Sequence, residues 1–203
     1  MIQRIAQIER KSKETQINVA INVDGTGESK IKTPIGFLNH MLELFAFHGH
    51  FDLNIDVTGD THIDIHHTNE DIGIVMGKAF KKALGEDKAG IKRFGSAFAP
   101  MEGTVGQCVI DISGRGFFKF NALSVMPAQK GTEGYEFSHF EHLMESFAHN
   151  LGATLTFSLQ NPSDDLHTNL ETMFKSLGLA LDQATAIDPR RAGKVPSTKG
   201  IID

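Results

Sequence analysis

Hydrophobic and polar residues alternate strictly from Thr15 to Val23, with Ile17, Val19, Ile21 and Val23 facing one way and Gln16, Asn18 and Asn22 the other. Period-two alternation of this kind predicts a strand with one buried face. The same pattern recurs over Phe51 to Val57 and Ala153 to Leu159, and apolar runs predict further strands at Val105 to Ile112 and Phe117 to Leu123. Helical spacing lies between them. Phe37, Leu38, Met41, Leu42, Phe45 and Ala46 form one apolar stripe, and Phe140, Leu143, Met144, Phe147 and Leu151 form another. Two more helices are predicted from Glu70 to Leu84 and from Glu171 to Ala186. The resulting order, ββαββα followed by βββαβα, predicts an α+β fold of two pseudo-symmetric halves, each an antiparallel sheet with helices packed on one face.

The two halves are related by an internal repeat. His40-Met-Leu-Glu-Leu-Phe-Ala matches His142-Leu-Met-Glu-Ser-Phe-Ala, and after one deletion His66, Glu70, Gly77 and Ala79 match His167, Glu171, Gly178 and Ala180. A period of about one hundred residues is too long for a solenoid and implies a pseudo-twofold pair. Residues 1–90 form the first unit and 91–203 the second.

Composition sharpens the chemistry. Ten histidines accompany one cysteine and no tryptophan, and imidazole with carboxylate, without thiolate, is the ligand set of borderline to hard divalent metals. The candidates are the three pairs that the repeat preserves, His40 with His142, His66 with His167 and Glu70 with Glu171, together with His67 beside His66. Thr68 or Asn69 is expected to cap the helix after His66-His67, whose adjacent rings diverge and so suit two different ions. The net charge of −5, with no basic block, argues against nucleic acid. The lone Cys108 argues for a reducing compartment, and no stretch is apolar enough for export or membrane spanning, so a cytoplasmic protein is expected.

The motifs Glu14-Thr15-Gln16-Ile17, Gly36-Phe-Leu-Asn-His-Met-Leu, His66-His-Thr-Asn-Glu-Asp, Arg93-Phe-Gly, Asp111-Ile-Ser-Gly-Arg115, Phe174-Lys175 and Pro196-Ser-Thr-Lys-Gly200 together resemble the imidazoleglycerol-phosphate dehydratase family of histidine biosynthesis. The resemblance runs nearly end to end. It implies a Mn2+-dependent lyase, two ions per active site, that converts imidazole glycerol phosphate to imidazole acetol phosphate within an assembly of twenty-four subunits. By position, the seven residues above resemble the family's metal ligands, Glu14 and Glu171 its catalytic carboxylates, and Arg93, Arg115, Lys175, Ser197, Thr198 and Lys199 its phosphate-binding groups, with His48 in a substrate-contacting stretch. The departing proton is not next to a carbonyl, so a base alone faces a weak carbon acid, and a metal-bound ring would have to assist.

The second half departs from the family pattern. Thr168 stands where a second adjacent histidine is expected, Glu102-Gly103 where an acidic pair is usual, Thr156 in place of histidine, Gly116 in place of proline, and Ser163-Asp164-Asp165 in place of a Gly- and Asn-containing turn. Water, Thr168 or Asp165 would then complete the second metal. The other readings are a degenerate or engineered relative that binds metal and assembles with little turnover, and a metal-dependent phosphatase.

Overall fold

The computed structural model describes residues 4–132, 134–191 and 193–202. The first half comprises β1 (Ile5–Lys11), β2 (Thr15–Asn22), β3 (Ser29–Lys32), α1 (Gly36–His48), β4 (Asp52–Gly59) and α2 (Ile65–Leu84). The second comprises β5 (Phe94–Met101), β6 (Thr104–Asp111), β7 (Phe117–Ala122), α3 (Phe137–Leu151), β8 (Thr154–Gln160) and α4 (Leu166–Thr185), followed by a 3-10 turn at Pro189–Arg191. Both halves therefore run βββαβα. The order expected for the first half is corrected: it has a third strand before its first helix, and one strand rather than two between its helices. The additional strand β3 is four residues long, mostly exposed and rich in lysine, too short and too polar to show an alternating signal.

Each half builds a four-stranded sheet, in the orders β1-β2-β4-β3 and β5-β6-β8-β7. The sheets are mixed, not wholly antiparallel as expected. β3 pairs with β4, and β7 with β8, in parallel, because a helix lies between the members of each pair and returns the chain to the same end of the sheet. The alternation in β2 and β4 brings Ile17, Val19 and Ile21 opposite Val57, Ile55 and Leu53. In the second sheet Cys108 and Ile110 face Phe157 and Leu155. All of these side chains are buried.

Both helix pairs lie between the sheets. α2 rests on β1 and β2, α4 on β5 and β6, and each also packs on a helix of the other half: α2 on α3, and α4 on α1. Equivalent glycines set the closeness of these crossings. A Cβ at Gly77 would lie 2.7 Å from the Phe147 carbonyl oxygen, and one at Gly178 would lie 2.6 Å from the Phe45 carbonyl oxygen. Tyr135, fully buried, sits between the halves with its ring centroid 5.2 Å from Phe37 and 5.2 Å from His139, two residues that the repeat pairing His40 with His142 makes equivalent. Its hydroxyl donates to Asn69 Oδ1 at 2.9 Å. No helix of the described residues is long and apolar enough to cross a membrane.

Candidate metal centres

Both histidine motifs open their helices rather than precede them. α2 begins at Ile65 and α4 at Leu166, not at Glu70 and Glu171, and the caps are Asp64 and Asp165 rather than Thr68 or Asn69. Asp64 accepts from the His66 N–H at 2.9 Å, and Asp165 from the N–H groups of His167 and Thr168 at 3.2 and 3.1 Å. An aspartate side chain competes well for the orphan N–H groups of a first turn, and once the helix starts there each histidine lies one turn before its glutamate.

The helix crossing then supplies the remaining ligand from the other half. In the first centre, His40 on α1 meets His167 and Glu171 on α4: both imidazole Nε2 atoms lie 3.0 Å from Glu171 Oε1, and one ligand atom from each of the three residues falls within 4.8 Å of the others. In the second, His142 on α3 meets His66 and Glu70 on α2. His66 Nε2 lies 3.3 Å from Glu70 Oε2, and the His66 and His142 rings stack edge to face at 4.5 Å. The second centre is the looser one; it opens into a groove of about 290 Å3 lined by His66, Glu70, His142, Glu145, Ser146 and His149. Among the described residues, His142 Nδ1 is buried without a partner. Two imidazoles with a carboxylate fit a divalent cation of the hard to borderline class.

The centres differ in what surrounds them. Lys175 Nζ lies 2.5 Å from Glu171 Oε2, whereas the repeat puts Ile74 at that place in α2. Burial opposes ionisation of Glu171, but hydrogen bonds from Lys175, His40 and His167 outweigh it and hold the carboxyl at about 2. His48, two turns along α1 from His40, shares this neighbourhood; burial first, then the Lys175 charge, keeps its imidazole below the usual range.

His67 belongs to neither cluster within the chain. Its ring centroid stands 6.3 Å from that of His66 with planes at 80°, the divergence expected for adjacent positions. Its Nδ1 lies 3.3 Å from Asp60 Oδ2, and the bond to Asp60, aided by the charges of Glu14, Asp60 and Asp64, raises its pKa. Glu14 is exposed on the β1–β2 turn, and its carbonyl accepts from the Asp60 N–H at 3.2 Å. That turn is anchored to α2, since Arg10 and Thr15 both donate to Asp71 Oδ2, at 2.5 and 2.6 Å. Thr168, which the repeat aligns with His67, is buried and donates its hydroxyl to Asp165 Oδ2 at 2.8 Å. Asp165 and Thr168 thus form a closed helix cap, and neither is turned toward the Glu171 cluster as the sequence reading had allowed.

The anion-binding candidates are distributed. Arg93, held at a φ of 75°, forks onto Asp111 at 2.6 and 3.0 Å and donates to the Pro196 carbonyl at 3.1 Å, so it holds the tail that carries Ser197, Thr198 and Lys199. Those three residues make only local turn bonds among the described residues, including Lys199 N–H to Ser197 Oγ at 3.2 Å. Arg115 is exposed on the β6–β7 loop. Sequence reasoning missed Tyr135, His139 and His149. The repeat that pairs His40 with His142 also sets Phe37 against His139 and Phe47 against His149, and following it one turn before and two turns after His142 exposes both histidines.

The model of imidazoleglycerol-phosphate dehydratase matches residues 33–181. Imidazoleglycerol-phosphate dehydratases of Pelobacter propionicus and Halalkalibacterium halodurans are 46% and 47% identical to this chain over 98% of its length, covering 99% and 100% of theirs. Among solved structures, the enzyme of Pyrococcus furiosus superposes with a TM-score of 0.78 at 34% identity, over 96% of this chain and 99% of that one, and the Staphylococcus aureus enzyme with 0.77 at 34%, over 91% and 99%. With identity of this level sustained from end to end over the same two-sheet architecture, the chain belongs to the imidazoleglycerol-phosphate dehydratase family.

Proposed function

We propose that the chain removes water from imidazole glycerol phosphate to give imidazole acetol phosphate, in histidine biosynthesis, with a divalent cation, Mn2+ by family resemblance, at each centre. The observation that carries this reading is the His40–His167–Glu171 cluster, assembled from both halves, with its looser counterpart His66, Glu70 and His142 around one groove. His40, His167 and Glu171 would hold one ion and His66, His142 and Glu70 the other. A cation at such a site supplies Lewis acidity toward the substrate's imidazole ring. Glu14, exposed and close enough for its charge to act on His67, would move the proton lost from carbon. Lys175 and Arg115 would bind the phosphate by charge-assisted bonds, while Arg93, committed to Asp111, would position the Ser197-Thr198-Lys199 tail. His48, next to Lys175, would contact the substrate chain. His67 faces outward and is suited to complete a centre on a neighbouring copy in a twenty-four-subunit assembly in the cytoplasm.

The degenerate-relative reading gains no support, because the substitution at Thr168 lies in a helix cap and leaves both clusters whole. The test is a direct assay of ketone formation from imidazole glycerol phosphate, with elemental analysis of the same sample. Two ions per chain and loss of turnover on chelation are expected. Metal uptake without ketone would refute the dehydratase reading.

A further inference from the structure

The groove at the second centre extends beyond the metal-ligating set. α3 presents His142, Glu145, Ser146 and His149 at steps of three to four residues, and all four line the groove together with His66 and Glu70. His149 is two turns from His142, roughly 10.5 Å along the axis at the helical rise. Among the described residues, no hydrogen bond or ion pair engages its ring, and the residue is exposed. Packing does not demand an imidazole there, since the equivalent position in the first half is Phe47, itself 65% exposed.

The β6–β7 loop is fastened against this end of α3. Gly114 N–H donates to the Gly152 carbonyl at 2.7 Å, and Phe117 N–H to the Ala153 carbonyl at 3.0 Å. At Gly116 the loop touches His149 directly: a Cβ there would lie 2.3 Å from His149 Cα and 2.7 Å from its Cδ2. Gly116, read in the sequence as a departure from Ser-Gly-Arg-Pro, thus has a local cause, for His149 leaves no room for a side chain. Its chain neighbour is Arg115. His149 thereby stands at the groove's far end, beyond Glu145, against the loop on which the exposed Arg115 lies. The last turn of a helix also favours a positively charged imidazole.

We infer that His149 is a further substrate-binding residue, receiving the phosphate end of a ligand whose other end lies at His66, Glu70 and His142. The inference rests on the dehydratase reading for the identity of the ligand, but the anion site can be tested apart from turnover. Inorganic phosphate is titrated calorimetrically into the metal-loaded protein and its His149→Val and His149→Lys variants, and KM and kcat are measured on imidazole glycerol phosphate with all three. Loss of one charge-assisted bond is worth about a tenfold change. His149→Val is therefore expected to weaken phosphate binding and raise KM about tenfold with kcat within twofold, and His149→Lys to restore both. Unchanged phosphate affinity in a folded His149→Val protein overturns the inference. Weakened phosphate binding in a parent protein that forms no ketone supports the anion site and refutes the dehydratase reading alone.

Discussion

Replacing Gly77 with alanine sets two effects of opposite sign against each other. Gly77 lies inside α2, where glycine is less favourable than alanine by about 1 kcal/mol, so propensity alone predicts stabilisation. The new methyl would lie 2.7 Å from the Phe147 carbonyl oxygen, 2.8 Å from Asn150 Cβ and 2.9 Å from Leu151 N. Two of those atoms are backbone of α3 and cannot rotate away, so the helices must separate. Overpacking of this kind costs about 1–3 kcal/mol, and because three contacts are violated at once the upper part of that range applies. After subtracting the propensity gain, a net loss of roughly 1–2 kcal/mol is expected, or a fall in Tm of about 2–8 °C for a chain of this size. The same movement draws His66 away from His142 and leaves His40 and His167 in place. Thermal unfolding paired with a calorimetric Mn2+ titration reads both, and the expected outcome is a lower Tm with weakening of one of two metal-binding events. A Tm at or above the parent's would show that the α2–α3 crossing is not tight, and the account of the glycines would be wrong.

Thr168→Val removes the hydroxyl bonded to Asp165 and should cost about 1 kcal/mol in denaturant unfolding while leaving Mn2+ affinity unchanged; a loss of affinity would make Thr168 a ligand. Asp165→Ala removes the cap of α4 and should cost about 0.5–2 kcal/mol, seen as a lower urea midpoint. Glu171 has its pKa depressed from 4.5 to about 2, so its contribution to the metal-free protein is complete above 4.5 and lost as pH falls from there toward 2. Urea titrations across that window should show the loss, and Glu171→Gln should flatten it. Tyr135→Phe strands Asn69 Oδ1 and should destabilise by about 1–3 kcal/mol; an unchanged unfolding curve would mean that water replaces the hydroxyl.

The long alternating strands and the four amphipathic helices were legible because burial on one face imposes a period that a single sequence displays. β3 was not, being short, lysine-bearing and held chiefly by backbone pairing to β4. The parallel edges were hidden for a related reason, since strand direction follows from the path of α1 and α3 and leaves no mark on the alternation. The repeat revealed which histidines and glutamates correspond, but not that His40 is paired with Glu171 and His142 with Glu70. That exchange depends on how the halves dock, which is encoded in small residues such as Gly77 and Gly178 whose role appears only when a second helix is present. The cap of α2 was misassigned because Asp64 precedes the conspicuous histidines, and Thr68 or Asn69 as cap puts the start about one turn late.

The crossing of α1 with α4 and of α2 with α3 bears on how such a chain arises. A lone half would own an imidazole-carboxylate turn and an unmatched histidine, so it could assemble a complete ligand set only by associating with a twin, and would then do so twice over, identically. Joining the twins in one polypeptide releases them from that sameness. Phe37 against His139, Phe47 against His149, and His67 against Thr168 are divergences that no symmetric ancestor could have sampled one at a time.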